Sequence, residues 1–161
     1  MSITVSSASG LSPIRSLTLG NASAMTVTQA MATKTTLPMV VQDSLANVQA
    51  NLSGLQKLAA AGKLSGFSLT ETNAKVQFNA SQLASSAALV TKLNASGVAM
   101  AVTDTAANLA RNAARLTPEL EVSVQDSSAR VMASLSAMQS LAAANKLDAV
   151  SFTDANPTMV F

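Results

Sequence analysis

The chain of 161 residues contains no cysteine, histidine, tryptophan or tyrosine. Without cysteine there is no disulfide framework and no thiolate. Without histidine the common nucleophile and base pairings and most transition-metal sites are excluded. Four phenylalanines are the only aromatics, which leaves no stacking platform for bases or sugars. Charged residues make up 11% of the chain, against roughly 25% in a typical soluble domain. The net charge is only +2, and the basic residues are scattered, so no patch follows a phosphate backbone and no nucleic-acid partner is expected. Gly-rich phosphate loops are absent. No apolar run approaches a membrane span, so no membrane insertion is expected. The start, MSITVSSASG, lacks the basic and apolar regions of a Sec signal peptide.

What remains is apolar and periodic. Hydrophobic residues are 48% of the chain, enough for one domain with its own core. Val41 to Phe78 and Val124 to Phe161 align without a gap at an offset of 83 residues, with 20 of 38 positions identical. The first copy runs on after Phe78 into the apolar segment Leu83 to Leu93, whereas the second has reached Phe161. Stacked repeats bury their core against neighbours, so the second copy is expected to present an uncapped end ending in Met159, Val160 and Phe161.

Residues 1–36 differ from the rest. They are rich in Ser and Thr, and Ile3 with Val5 and Met25 with Val27 alternate as strands do. They read as a β-prone or flexible arm. From residue 37 to residue 161 a strand–helix repeat domain is expected, with copy one over 41–123 and a truncated copy two over 124–161. Asp43 with Ser44, Asp104 with Thr105, and Asp126 with Ser127 follow short apolar strands and read as paired helix caps. Leu45, Val48, Leu52, Leu55 and Leu58 keep one helical face throughout. Pro118 ends the helix bearing Leu109, Ala113 and Leu116. The fold class that follows is α/β, a layered, solenoid-like strand–helix repeat with a parallel sheet and a β-prone N-terminal segment. Because Asn caps about as well as Asp, Asp126→Asn is expected to be nearly neutral.

The stretches Val41 to Glu71, Val102 to Leu116 and Val124 to Asp154 resemble strand–helix tandem repeats of large secreted and surface-associated bacterial proteins, many of them exported by type I secretion. The ending SFTDANPTMVF is similar to an uncleaved type I secretion signal. The resemblance implies scaffolding, export without a Sec signal, and an extracellular or cell-surface location, with a cell-surface component as a further partner. It implies no cofactor, and no enzyme is expected. The leading expectation is a self-assembling subunit of a filament, surface layer or matrix, joined to copies of itself head to tail. Ile3, Val5, Met25 and Val27 of one copy would pair with Thr158, Met159, Val160 and Phe161 of the next by strand addition. The alternative is a monomeric secreted adhesin or binding module.

Overall fold

The computed structural model describes residues 24–158. It is an α/β fold of parallel strands alternating with helices. In chain order these are α1 (Val27–Ala32), β1 (Met39–Asp43), α2 (Leu45–Ala50), α3 (Leu52–Ala60), β2 (Leu64–Leu69), β3 (Val76–Phe78), α4 (Ala80–Ser85), α5 (Ala87–Ala95), β4 (Met100–Asp104), α6 (Ala106–Arg111), β5 (Glu121–Asp126), α7 (Ser128–Ala133), α8 (Leu135–Ala143) and β6 (Ala149–Phe152). A 3-10 turn, Ala113–Arg115, follows α6.

The strands pair in sequence order, β1 with β2 and β3 through β6 in a four-stranded sheet. Met25 adds a single parallel bridge to Val41 on the free side of β1. The helix-facing side chains are buried: Val41, Phe67, Val76, Phe78, Val102, Val122 and Val124. The opposite face carries Gln42, Gln77, Thr103 and Gln125, all exposed. That face is polar, so it needs no apolar cover. Ala101 is the buried exception at 4% exposure. It pairs with Gln77 on one side and Glu121 on the other, and the ion pair from Lys75 to Glu121 spans the strand that carries it.

The duplication reappears as geometry. A six-residue helix, a one-residue break and a nine-residue helix recur as α2–α3, α4–α5 and α7–α8, broken at Asn51, Ser86 and Ser134. The apolar spacing alone predicts one continuous helix in each place. The Asn51 side-chain amide donates to the Asn47 carbonyl at 2.8 Å, and Asn112 does the same to Asn108 at 2.9 Å. Such side-chain bonds compete with the helical ladder. Each long helix closes in a left-handed residue, Gly62, Gly97 or Asn145, with the next N–H reaching back to Leu58, Leu93 or Leu141. Asn145 replaces glycine there because asparagine tolerates positive φ.

Residues 24–36 do not form an arm apart from the core. The alternation of Met25 and Val27 points to a strand, but Val27 is the first residue of α1 and is fully buried. Thr26 and Gln29 make a reciprocal capping box, and that local signal overrides the short alternation. Gly54 in α3 lies under Met31 of α1: a Cβ there would meet the Met31 methyl at 2.5 Å. Met31 is 46% exposed and free to swing aside. Gly54→Ala should therefore be stabilising by up to about 1 kcal/mol from helix propensity. The melting temperature should rise by about 2–4 °C; a fall would mean that the Met31 contact holds α1 in place.

Candidate functional site

A file of carboxylates runs along the C-terminal ends of the strands. Each takes the first N–H of the helix in the preceding unit. Asp43 accepts from Val27 N–H at 2.9 Å, Glu71 from Leu45 at 2.9 Å, Asp104 from Ala80 at 2.9 Å, Asp126 from Ala106 at 3.2 Å and Asp154 from Ser128 at 2.5 Å. The residues that cap their own helices are Ser44, Thr105 and Ser127. Asp43, Asp104 and Asp126 thus are not simple partners in a local cap. One oxygen reaches across units, and the other accepts the N–H of Ser44, Thr105 or Ser127 at 2.7–2.9 Å. Asn47 and Asn108 add a side-chain bond to Asp43 and Asp104. Helix N-termini carry orphan donors and a partial positive charge, so a carboxylate placed between two of them serves both.

These bonds also set the acidities. The Asn47 amide, then the Val27 N–H, hold Asp43 below the usual aspartate range. Burial pushes Asp104 up, but the bonds from Asn108, Thr105 and Ala80 together outweigh it and leave its pKa lowered. Groups with depressed folded pKa contribute stability above their unfolded pKa and lose it as pH falls through the folded value. The melting temperature should stay level down to about pH 4, the unfolded aspartate value, and then drop. A melting temperature unchanged at pH 2 would show that the ladder contributes nothing.

Both oxygens of Asp43, Asp104 and Asp126 accept from protein donors, and the described residues contain no group of three His, Cys, Asp or Glu able to hold a metal. No helix among them is long and apolar enough to cross a membrane.

The feature that remains is the β6 end. The residue pairing places Val150 in the core-facing row, opposite Val124 of β5. Val150 is nevertheless 40% exposed. Its counterpart 83 residues earlier, Phe67, is 4% exposed, because α5 packs on β2 and Ser96 Oγ accepts the Phe67 N–H at 3.1 Å. No equivalent of α5 follows β6 within the described residues. Large exposed apolar side chains among those residues are Met31, Leu37, Val40 and Val150. They flank or lie in the first strand or lie in the last one, with none between.

Of the positions expected to self-associate, Met25 and Val27 are engaged within their own fold, the first by its bridge to Val41 and the second by burial. Thr158 is exposed and in no regular element. Ile3, Val5, Met159, Val160 and Phe161 lie outside the described residues. Sequence reasoning missed Glu71 and Asp154 as caps, although each lies a few residues past a strand with helix-breaking neighbours. It also missed Gln49, whose amide clips the free edge of β3 by bonding Gln77 N–H and C=O at 3.0 and 2.6 Å.

No family model, no curated protein and no solved structure matches this chain.

Proposed function

We propose that the chain is a structural subunit, a solenoid-like stack of strand–helix layers that assembles head to tail into an extracellular filament, surface layer or matrix. The observation that carries this reading is the open core row at β6. A valine facing the helix side of a parallel sheet is left in water, while its counterpart in the first copy is buried. Covering the exposed two fifths of that side chain is worth about 0.6–1.2 kcal/mol, and an exposed parallel edge is a template for a further strand. The weakly charged surface opposes self-association little. Contacts between unlike ends that do not close produce open filaments. The resemblance of the repeat to scaffolding units of secreted bacterial proteins supports the extracellular location.

The test is the assembly state of the purified chain over a wide concentration range, by sedimentation and negative-stain microscopy. Fibres, sheets or a concentration-dependent ladder of oligomers are expected. A monomer at every concentration would overturn the reading in favour of a monomeric binding module.

A further inference from the structure

A nine-residue helix joins the paired strands in three places: α3 between β1 and β2, α5 between β3 and β4, and α8 between β5 and β6. The β4–β5 unit has none. Residues 105–120 join those two strands, four to six residues fewer than 44–63, 79–99 and 127–148 in the other units. After α6 the chain makes only the Ala113–Arg115 turn, and the buried Leu116 and Pro118 carry it on to β5. The helix layer therefore has a notch where its fourth long helix would lie. On one side of the turn a groove of about 380 Å³ lies against α5, with Val90, Ala95, Met100, Leu120 and Arg115 in its walls. On the other side a groove of about 330 Å³ lies against α8, with Ala113, Ala137, Leu141 and Lys146 in its walls.

The layer around the notch is cationic for a reason set by the carboxylate ladder. Helices ordinarily place Asp or Glu in their first turn, against the partial positive charge there. Here the ladder supplies that charge from the strand ends. None of the helices α1 to α8 contains an acidic residue, whereas Lys57, Lys92, Arg111 and Arg130 all lie in helices. Of the acids outside the ladder, Asp148 accepts from Val122 N–H at 2.7 Å and Glu121 pairs with Lys75. Glu119, which accepts from the Thr117 side chain, is the one acid at the notch. Arg115 and Lys146 line the notch, and Arg111 follows Ala110 in α6. None of these three cations is in an ion pair among the described residues.

We propose that this notch is a docking site for an acidic amphipathic helix of a partner protein, laid between α5 and α8 over the Ala113–Arg115 turn. Packed helices lie about 8–10 Å apart, and a helix in the missing place covers the apolar walls with side chains at i, i+3, i+4 and i+7. Its flanking carboxylates meet Arg115, Lys146 and Arg111. The helix layer of a second copy of this chain does not fit, because its helices carry cations and no acid. A lipid surface is flat and leaves the grooves unfilled, and the chain has no Trp or Tyr to hold a membrane interface.

The test uses two synthetic peptides of about 16 residues, long enough to populate a helix. Both carry leucine and alanine at the same helical spacing; one has glutamate at the remaining positions, the other lysine. Each is titrated with the full chain by fluorescence anisotropy, at concentrations where sedimentation shows a single species, which keeps the outcome independent of the assembly proposed above. The glutamate peptide should bind with a Kd below about 100 µM, and the lysine peptide at least about tenfold more weakly. Arg115→Glu combined with Lys146→Glu should invert that preference while the circular dichroism spectrum stays unchanged. Arg115→Glu alone, at an exposed turn position, should weaken the glutamate peptide about threefold, and Lys57→Glu, on α3 away from the notch, by less than about twofold. No binding of the glutamate peptide up to about 1 mM, or equal weakening by Lys57→Glu and Arg115→Glu, overturns the docking site. So does binding to phosphatidylglycerol vesicles that the double variant abolishes while both peptides stay unbound, which assigns the face to a lipid surface.

Discussion

Asp126→Asn should lower the unfolding free energy by about 1–3 kcal/mol, more than Ser127→Ala does. A simple exchange of cap residues would be nearly neutral, since asparagine caps as well as aspartate. The structure removes that equivalence. Asp126 is 3% exposed, and its two oxygens accept from two different helices, Oδ2 from Ala106 N–H at 3.2 Å and Oδ1 from Ser127 N–H at 2.9 Å. An asparagine has one oxygen and one amide nitrogen. Whichever way it turns, an N–H donor faces a backbone N–H, and that buried donor loses its acceptor. Leaving such a group unsatisfied costs about 1–3 kcal/mol. Ser127→Ala removes only a side-chain acceptor 3.4 Å from Arg130 N–H, a long bond at an exposed helix start, so its cost should fall at the lower end of the range for cap removal, about 0.5–1 kcal/mol. The measurement is the urea midpoint at unchanged slope, with hydrogen exchange at Ala106 and Ser127 to show that both α6 and α7 loosen. Equal costs for Asp126→Asn and Ser127→Ala would mean that the bond between units has no net value.

The same aspartate shows what could be read without coordinates. An acidic residue and a hydroxyl residue ahead of an apolar run locate a helix start, and three such starts lie where they were expected. The second oxygen of each carboxylate points to a partner 16 to 24 residues earlier in the chain. Nothing local encodes that distance, because it depends on the length of the intervening helix and on strand register. The strands were legible for the opposite reason: alternation at β1 and β5 is strong and local. The breaks at Asn51, Ser86 and Ser134 were hidden because Leu52 and Leu135 keep the apolar spacing across them. Met25 and Val27 misled because two apolar residues two apart satisfy a strand pattern, while the Thr26 to Gln29 capping box was present in the same five residues. The duplication pointed to an open end at Met159 to Phe161, which lie outside the described residues, and Val150 was not singled out. Its meaning comes from the contrast in burial with Phe67.

That contrast also fixes the second large effect. Val150→Lys should abolish assembly and leave the subunit folded, whereas Phe67→Lys should prevent folding. The two positions are equivalent in sequence and in strand pairing, since Phe67 lies opposite Val41 and Val150 opposite Val124. They differ in what covers them. A lysine at 67 would have to place its ammonium under α5 with no partner, and burying an unpaired charge costs more than a marginal domain can supply. A lysine at 150, where the valine is 40% exposed, can lay its methylenes along β6 and keep the ammonium in water. The monomer should then lose less than about 1 kcal/mol. Assembly is another matter, because a second copy's layer would bury that ammonium, and charged side chains on an edge are a common way to prevent pairing. A loss of about 3 kcal/mol at the join raises the concentration needed for assembly by more than about a hundredfold. Circular dichroism and the urea midpoint report the first half of the expectation, and sedimentation reports the second. Fibres from Val150→Lys at the parent's concentration would show that the β6 end is not the join, whatever else holds the copies together.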